Sequence, residues 1–444
     1  MKPFIVIQGP VATRSGYGNH TRDLVTSLIK ANKYDIQLIS LPWGSTPMDA
    51  LKPNSADHRA IMQRIATQPI TRQPDIFIQV SVPNEFQAPG KYNIGITAGI
   101  ETTAVPAEWI EGCNKMNMII TTSEHSKKGF IDPVYDILDK NTNQKTGELK
   151  LQKPIKVLFE GVDTNIYKQT KDVHETVLNE LSDIKDTFCY LFVGHWLRGD
   201  FGADRKDVAT LIRTFCEAFK NKSAHNRPGL ILKTSHATFS IMDRDELTRK
   251  IQAIIAPYGK NIPNIYLVHG DLTDEEMNSL YNHPKVKAMI SFTHGEGYGR
   301  PLLEFSITGK PVIAPNWSGH IDFLQYATLL PGQLGKVHPS AADQFILKDT
   351  EWFTVDYGYA AAILRDCVDN YKTYTEKSRK QAFVSRESFN LDKMADEFVS
   401  IIDEALNTVP MATQLQLPKL NKVENNNNGA LPKLTLPKLN KVTI

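Results

Sequence analysis

The sequence predicts an α/β fold built from two doubly wound parallel sheets and followed by a flexible C-terminal tail. Three observations carry this reading. Short β-branched or aromatic runs alternate with longer helical patterns from the first residues onward, the signature of repeated βαβ units. The alternation is interrupted by a polar stretch and renewed near Asp186, so 444 residues divide into more than one unit. Beyond Pro410 it stops, and proline-interrupted repeats take over.

In chain order, Phe4 to Gln8 reads as a first buried strand. A loop follows from Gly9 to Gly18, then an amphipathic helix with Leu24, Val25, Leu28 and Ile29 on its apolar face. Tyr34 to Ser40, Asp75 to Val80, Tyr92 to Thr97 and Asn117 to Thr121 continue the strand series. Helices are expected near Pro106 to Asn114 and Ser123 to Ile131, and an exposed loop between Asp136 and Lys153, before a last strand at Ile155 to Phe159. The second unit has strands at Phe188 to Val193, Leu230 to Lys233, Ile265 to His269, Ala288 to Phe292 and Pro311 to Ala314, with helices starting at Lys206, Asp243, Asp274 and Pro301. Met394, Phe398, Ile401 and Ile402 recur at helical spacing, which suits a last helix packing back on the first unit. The resulting division is 1–170, 171–390, a returning helix in 391–410 and a tail over 411–444.

Composition narrows the function classes. The net charge of +2 is set by the tail, which carries five lysines against Glu424 and leaves −2 for residues 1–412. A strongly basic nucleic-acid binder has a more lopsided balance. No apolar run approaches the roughly 18 residues of a membrane span, and the start is too short for a secretory core, so a cytoplasmic protein is expected. Cys113, Cys189, Cys216 and Cys367 are far apart, without metal-ligand spacing, and read as buried free thiols.

The most informative segment is His294-Gly295-Glu296-Gly297-Tyr298-Gly299-Arg300-Pro301-Leu302-Leu303-Glu304, between a strand and a helix. Three glycines allow close backbone approach to a ligand, and a helix N-terminus favours an anion such as a diphosphate. Glu296 and Glu304 bring two carboxylates to one cleft, where they suit the vicinal hydroxyls of a ribose and a sugar ring.

This segment resembles the family-four glycosyltransferases, retaining enzymes of the GT-B fold whose hallmark is two glutamates separated by seven residues. The resemblance implies two facing Rossmann-like domains with a cleft between them, the first taking the acceptor and the second a nucleotide-sugar. It implies that Glu304 binds the nucleotide ribose and Glu296 contacts the donor sugar, with Gly297, Tyr298, Gly299 and Arg300 on the donor loop. Arg300 stands where family members commonly have an aliphatic residue. Pro311 to Leu324 and Phe159-Glu160-Gly161-Val162-Asp163-Thr164 are similar to further family segments, and the likeness covers most of residues 1–408. Leu191 to Arg198, followed by Asp204 to Asp207, matches the place of the family's Gly-Arg and Lys, the two cations on the donor diphosphate. Lys206 fits the lysine. His195 occupies the arginine position, so Arg198 or Arg205 is expected to supply the missing charge.

The remaining motifs are weaker. Gly16 and Gly18 form a lone Gly-x-Gly, which the resemblance places beside the donor phosphates or the acceptor. Glu101 and His125 are acceptor-side candidates. Lys233 reads equally well as a cleft residue or a solvent-facing lysine, and His236 as structural. Asp243-Arg244-Asp245 reads as a helix cap rather than a manganese site, so no metal and no cofactor beyond the nucleotide-sugar is implied. Lys52, Arg59, Arg64 and Arg72 are candidate phosphate contacts, with a solvated face as the default. The tail repeats Leu417 to Val423 as Leu436 to Val442, with a third Leu-Pro-Lys-Leu at Leu431 to Leu434. It reads as a disordered solubilising segment ahead of a repeated docking peptide for a protein partner. The chain is similar in style to glycosyltransferases of large tailed bacteriophages, which implies a host cytoplasm and either a glycan or 5-hydroxymethylcytosine of viral DNA as acceptor. The alternative is a catalytically weak GT-B-like scaffold that docks partners through its tail.

Overall fold

The computed structural model describes residues 2–236, 239–259 and 261–409. The repeated tail lies outside the described residues. The first half contains β1 (Phe4–Gly9), β2 (Asp35–Ser40), β3 (Ile76–Val80), β4 (Tyr92–Thr97), β5 (Met118–Thr121), the pair β6 (Tyr135–Leu138) and β7 (Lys145–Leu149), and β8 (Ile155–Val157). Its six-stranded sheet runs β2-β1-β3-β4-β5-β8, parallel throughout. Period-two alternation fills both faces. Ile5 and Ile7 pack with Leu24, Val25 and Leu28 of the helix Gly16–Ala31, while Phe4 and Val6 pack with Phe77 on the other side.

The second half contains β9 (Cys189–Val193), β10 (Gly229–Lys233), β11 (Ile265–Val268), β12 (Val286–Ile290), β13 (Val312–Pro315), β14 (Thr328–Leu330) and the antiparallel pair β15 (Gly332–Lys336) and β16 (Glu351–Val355). Its parallel sheet runs β11-β10-β9-β12-β13-β14. Strand order therefore reverses between β9 and β12, which opens a crevice at their carboxyl ends. Tyr190, Phe192 and Ile290 bury one face with Phe215 and Phe219, whereas Leu191 and Met289 bury the other with Leu303 and Phe305.

The helix Leu391–Thr408 returns to the first half, where Met394, Phe398, Ile401 and Ile402 join the core of β1 and the helix Gly16–Ala31. The chain crosses between the halves twice at one place. Val162 N–H donates to the Phe389 carbonyl (3.0 Å) and Leu391 N–H to the Val162 carbonyl (2.9 Å).

Several elements differ from the sequence reading. Where a plain exposed loop is expected over 136–153, the β6–β7 hairpin stands: only Tyr135 and Leu149, paired at its base, pack on the core around Trp109 and Phe130, while most of its other side chains are exposed, and Asn143 turns it with φ +56°. The helix expected from Lys206 begins at Val208, because Asp207 sits in the left-handed region (φ 51°) and leaves Lys206 on the preceding loop. The helix expected from Asp243 begins at Ile241, where the Ser240 hydroxyl accepts from Asp243 N–H (3.1 Å), so Ser240 is the cap. The four cysteines are buried and free.

Candidate active site

The crevice at the carboxyl ends of β9, β10 and β12 holds a cavity of about 260 Å³. Lys206, Arg205, Glu296, His195, Lys233 and Gly299 are among the residues around it. Lys206 Nζ pairs with Glu296 Oε1, and Arg205 pairs with Glu101 from the loop after β4. Two of the cavity's three cationic side chains, Lys206 and Arg205, thus already hold carboxylates, one from each half. Burial opposes the charge on Glu296, but Lys206 and Arg205 hold its carboxyl below the ordinary range. Burial lowers Lys206 in turn, against the pull of Glu296.

His195 lines the cavity with Nδ1 3.1 Å from the Ser235 hydroxyl. Burial, reinforced by Lys206, lowers its pKa, so it stands there as a neutral hydrogen-bonding group and not as a replacement cation. Arg205 is the guanidinium that lines the cavity beside Lys206. Arg198 is placed elsewhere: its side chain is 58% exposed against 12% for Lys206, it pairs with Asp343, and it does not line the cavity. The loop around Arg198 leads out to Asp200, whose N–H bonds Ser340, so the guanidinium follows it to the surface.

Glu304 lies beneath the cavity wall instead of in it. It is buried, and Oε1 accepts from Arg300 Nε (3.1 Å) while Oε2 accepts from Tyr281 OH (3.2 Å). Burial pushes its pKa up to about 7 despite Arg300. Arg300 also reaches Asp23 of the first half (2.7 Å) and Glu160 on the connecting segment (3.9 Å). Glu160 is likewise pushed by burial up to about 7. Arg300 is therefore the hub of a buried cluster joining both halves. Asp23, Glu160 and Tyr281 were not visible as site residues, since nothing local in the sequence ties them to Arg300.

The glycines of this loop serve different ends. A Cβ on Gly295 would overlap the Glu101 carbonyl, and one on Gly297 would come within 2.5 Å of the Ala98 carbonyl oxygen. Ser123 Oγ donates to the Gly297 carbonyl (2.6 Å). Both glycines thus let the loop press on first-half backbone, and only Gly299, with φ 98°, turns the chain at the cavity. Tyr298 points away from the cavity into the apolar core against Phe323 (5.0 Å between rings). The helix it precedes, Arg300–Ser306, spans only seven residues, so its dipole adds little beside the cavity's cations.

Gly16 begins the first helix beside its cap Ser15 with open space around it. Gly18 is packed on the Thr13 carbonyl, and neither lines the cavity. His125 sits edge-on to Trp317 (4.5 Å), with Nε2 3.1 Å from the Ile100 carbonyl, and burial lowers its pKa to about 4. Lys233 does line the cavity, its Nζ donating to the Gly270 carbonyl (2.6 Å). Asp243 Oδ2 is taken by His269 Nε2 (2.7 Å) and His236 N–H (3.1 Å), and His236 Nδ1 bonds the Trp196 carbonyl. Arg72 stacks on Phe4 and faces Asp35 and Asp75, while Arg59 and Arg64 donate to the Pro53 and Ala60 carbonyls. They form no free phosphate stripe.

No protein-family model matches the sequence, and no curated protein matches it. Solved structures do match the fold. A glycosyltransferase from Rickettsia africae is similar over 92% of this chain and 99% of its own, with a TM-score of 0.60 and 12% identity. Sucrose-phosphate synthase from Thermosynechococcus elongatus is similar over 92% of this chain and 100% of its own, with a TM-score of 0.59 and 13% identity. HepE from Anabaena, in complex with UDP-glucose, matches over 90% and 99%, with a TM-score of 0.56 and 13% identity. These neighbours are GT-B glycosyltransferases, and with its two six-stranded parallel sheets this chain has the GT-B fold.

Proposed function

We propose that the protein is a retaining glycosyltransferase of the family-four type that moves a sugar from a nucleotide-sugar to an acceptor hydroxyl without a metal ion. The observation that carries this is the pairing of Lys206 and Arg205 with Glu296 and Glu101 around one cavity at the strand-order reversal of the second sheet. The donor diphosphate lies against the two cations, and its developing charge on departure is what they stabilise. Neutral His195 adds a hydrogen bond. Glu296 orients the sugar hydroxyls. In a front-face displacement the anomeric carbon–oxygen bond to the diphosphate breaks as the acceptor oxygen bonds on the same face. The acceptor proton passes to the departing phosphate oxygen, so no separate base is needed. Glu304, beneath the cavity wall and bonded by Arg300 and Tyr281, fixes the helix at the cavity's edge instead of touching the ribose as the sequence resemblance implies.

On the acceptor side, the paired or capped state of Arg59, Arg64 and Arg72 favours a glycan over hydroxymethylated DNA in this reading. Phage origin and a host cytoplasm rest on the likeness of the sequence alone. The test incubates the full chain with a panel of nucleotide-sugars and candidate acceptors, including hydroxymethylated duplex. Nucleoside diphosphate release is followed, with NMR of the anomeric configuration. Release with retained configuration is expected. No release across the panel, with or without acceptor, returns the chain to the scaffold reading.

A further inference from the structure

On the side of the second half away from the donor cavity lies a larger recess of about 600 Å³ that the proposed reaction does not use. One wall is the helix Tyr371–Ser388, which presents Thr375, Arg379 and Arg386 to it. The opposite wall is Thr308, Gly309 and Lys310, just past the helix that carries Glu304, with Asn282 and Gln169 completing the rim. Its lining carries three cations and no carboxylate.

The two arginines are unspent. Among the described residues neither Arg379 nor Arg386 forms an ion pair, so both guanidinium forks face solvent or the recess. Lys310 Nζ donates to the Tyr281 carbonyl (2.7 Å) and the His283 carbonyl (2.9 Å), which fixes the ammonium and leaves its third hydrogen without an acceptor among the described residues. Burial, reinforced by Lys287, pushes its pKa down to about 7. Asn282 anchors that rim by accepting from Thr170 N–H (3.0 Å) and donating to the Lys168 carbonyl (2.9 Å). The recess is concave and of the size that takes small ligands, unlike the open surface a duplex requires.

We propose that this recess is a second anion site, separate from the donor cavity, that takes a small phosphorylated molecule through Arg379, Arg386 and Lys310. The test titrates inorganic pyrophosphate into the full chain by calorimetry, using wild type, the double variant Arg379→Ala/Arg386→Ala, and Lys206→Ala. The double variant is expected to lose one equivalent of pyrophosphate, or to bind it at least tenfold more weakly. Lys206→Ala is expected to keep that equivalent, so a failure of the donor reading changes the wild-type stoichiometry without masking the loss. A folded double variant, checked by circular dichroism, that retains every equivalent overturns the proposal. So does a double variant that loses only salt-sensitive affinity for a short DNA duplex while binding pyrophosphate unchanged.

Discussion

The cavity divides its charged residues into those whose loss should matter and those that merely resemble them in sequence. Lys206→Ala removes a cation from the proposed leaving group and should lower turnover by about 10²-fold. Arg198→Ala, at an exposed guanidinium held by Asp343, should leave turnover within about twofold, since exposed pairs contribute little. Steady-state kinetics of the two variants side by side decides the assignment. Glu296→Gln should reduce turnover more than donor affinity, because the neutral amide still accepts hydrogen bonds but no longer balances Lys206. Glu304 offers a pH test. Its folded pKa of about 7 stands above the ordinary 4.5, so the folded state holds the proton more tightly and ionisation costs stability as pH rises through that window. Relative to Glu304→Gln, the wild-type melting temperature should fall between about pH 4.5 and 7 and run parallel above and below it. Comparing the two proteins cancels the opposite trend of His125, whose lowered pKa favours the folded state as pH rises toward neutrality. A constant difference across the whole range would remove Glu304 from the titrating groups.

At the scale of elements, the loop after β12 is where the two halves meet, and Gly297→Ala should act as a wedge there. Its Cβ would come within 2.5 Å of the Ala98 carbonyl oxygen, so the halves must shift or the loop must strain. Overpacking of this kind costs about 1–3 kcal/mol, visible as a lower melting temperature. The strands were legible because parallel sheets bury both faces: Phe4 to Gln8 and Leu230 to Lys233 are apolar up to their last residue and are found within a residue of their places. The hairpin of β6 and β7 was not legible, since Lys145 to Leu149 is exposed on most positions and held by cross-strand bonds that leave no pattern. The site was partly legible for the same kind of reason. Lys206, Arg205 and Glu296 announce themselves by charge within short motifs. The grouping of Arg300 with Asp23 and Glu160 depends on three segments brought together only by the fold. Tyr298 misled because an aromatic in a glycine-rich loop suits a ligand and a core equally well, and here Phe323 claims it.

For the molecule as a whole, the last helix is a structural part of the first sheet. Phe398 is fully buried in that core, so Phe398→Ala should cost about 3–5 kcal/mol and be felt in the first half, although the residue is encoded near the other end. Hydrogen exchange checks this by locating increased opening at Ile5, Ile7 and Leu28 rather than in β9 to β14. The same packing has a consequence for synthesis. When β8 has left the ribosome the first half still lacks the side chains that close it, because Met394, Phe398 and Ile402 come only after the whole second half has been translated. At ~5–20 residues per second the delay is on the order of ten to fifty seconds. During that interval an apolar groove along β1 and the first helix waits open, a target for chaperones that a chain folding strictly from its beginning would never present.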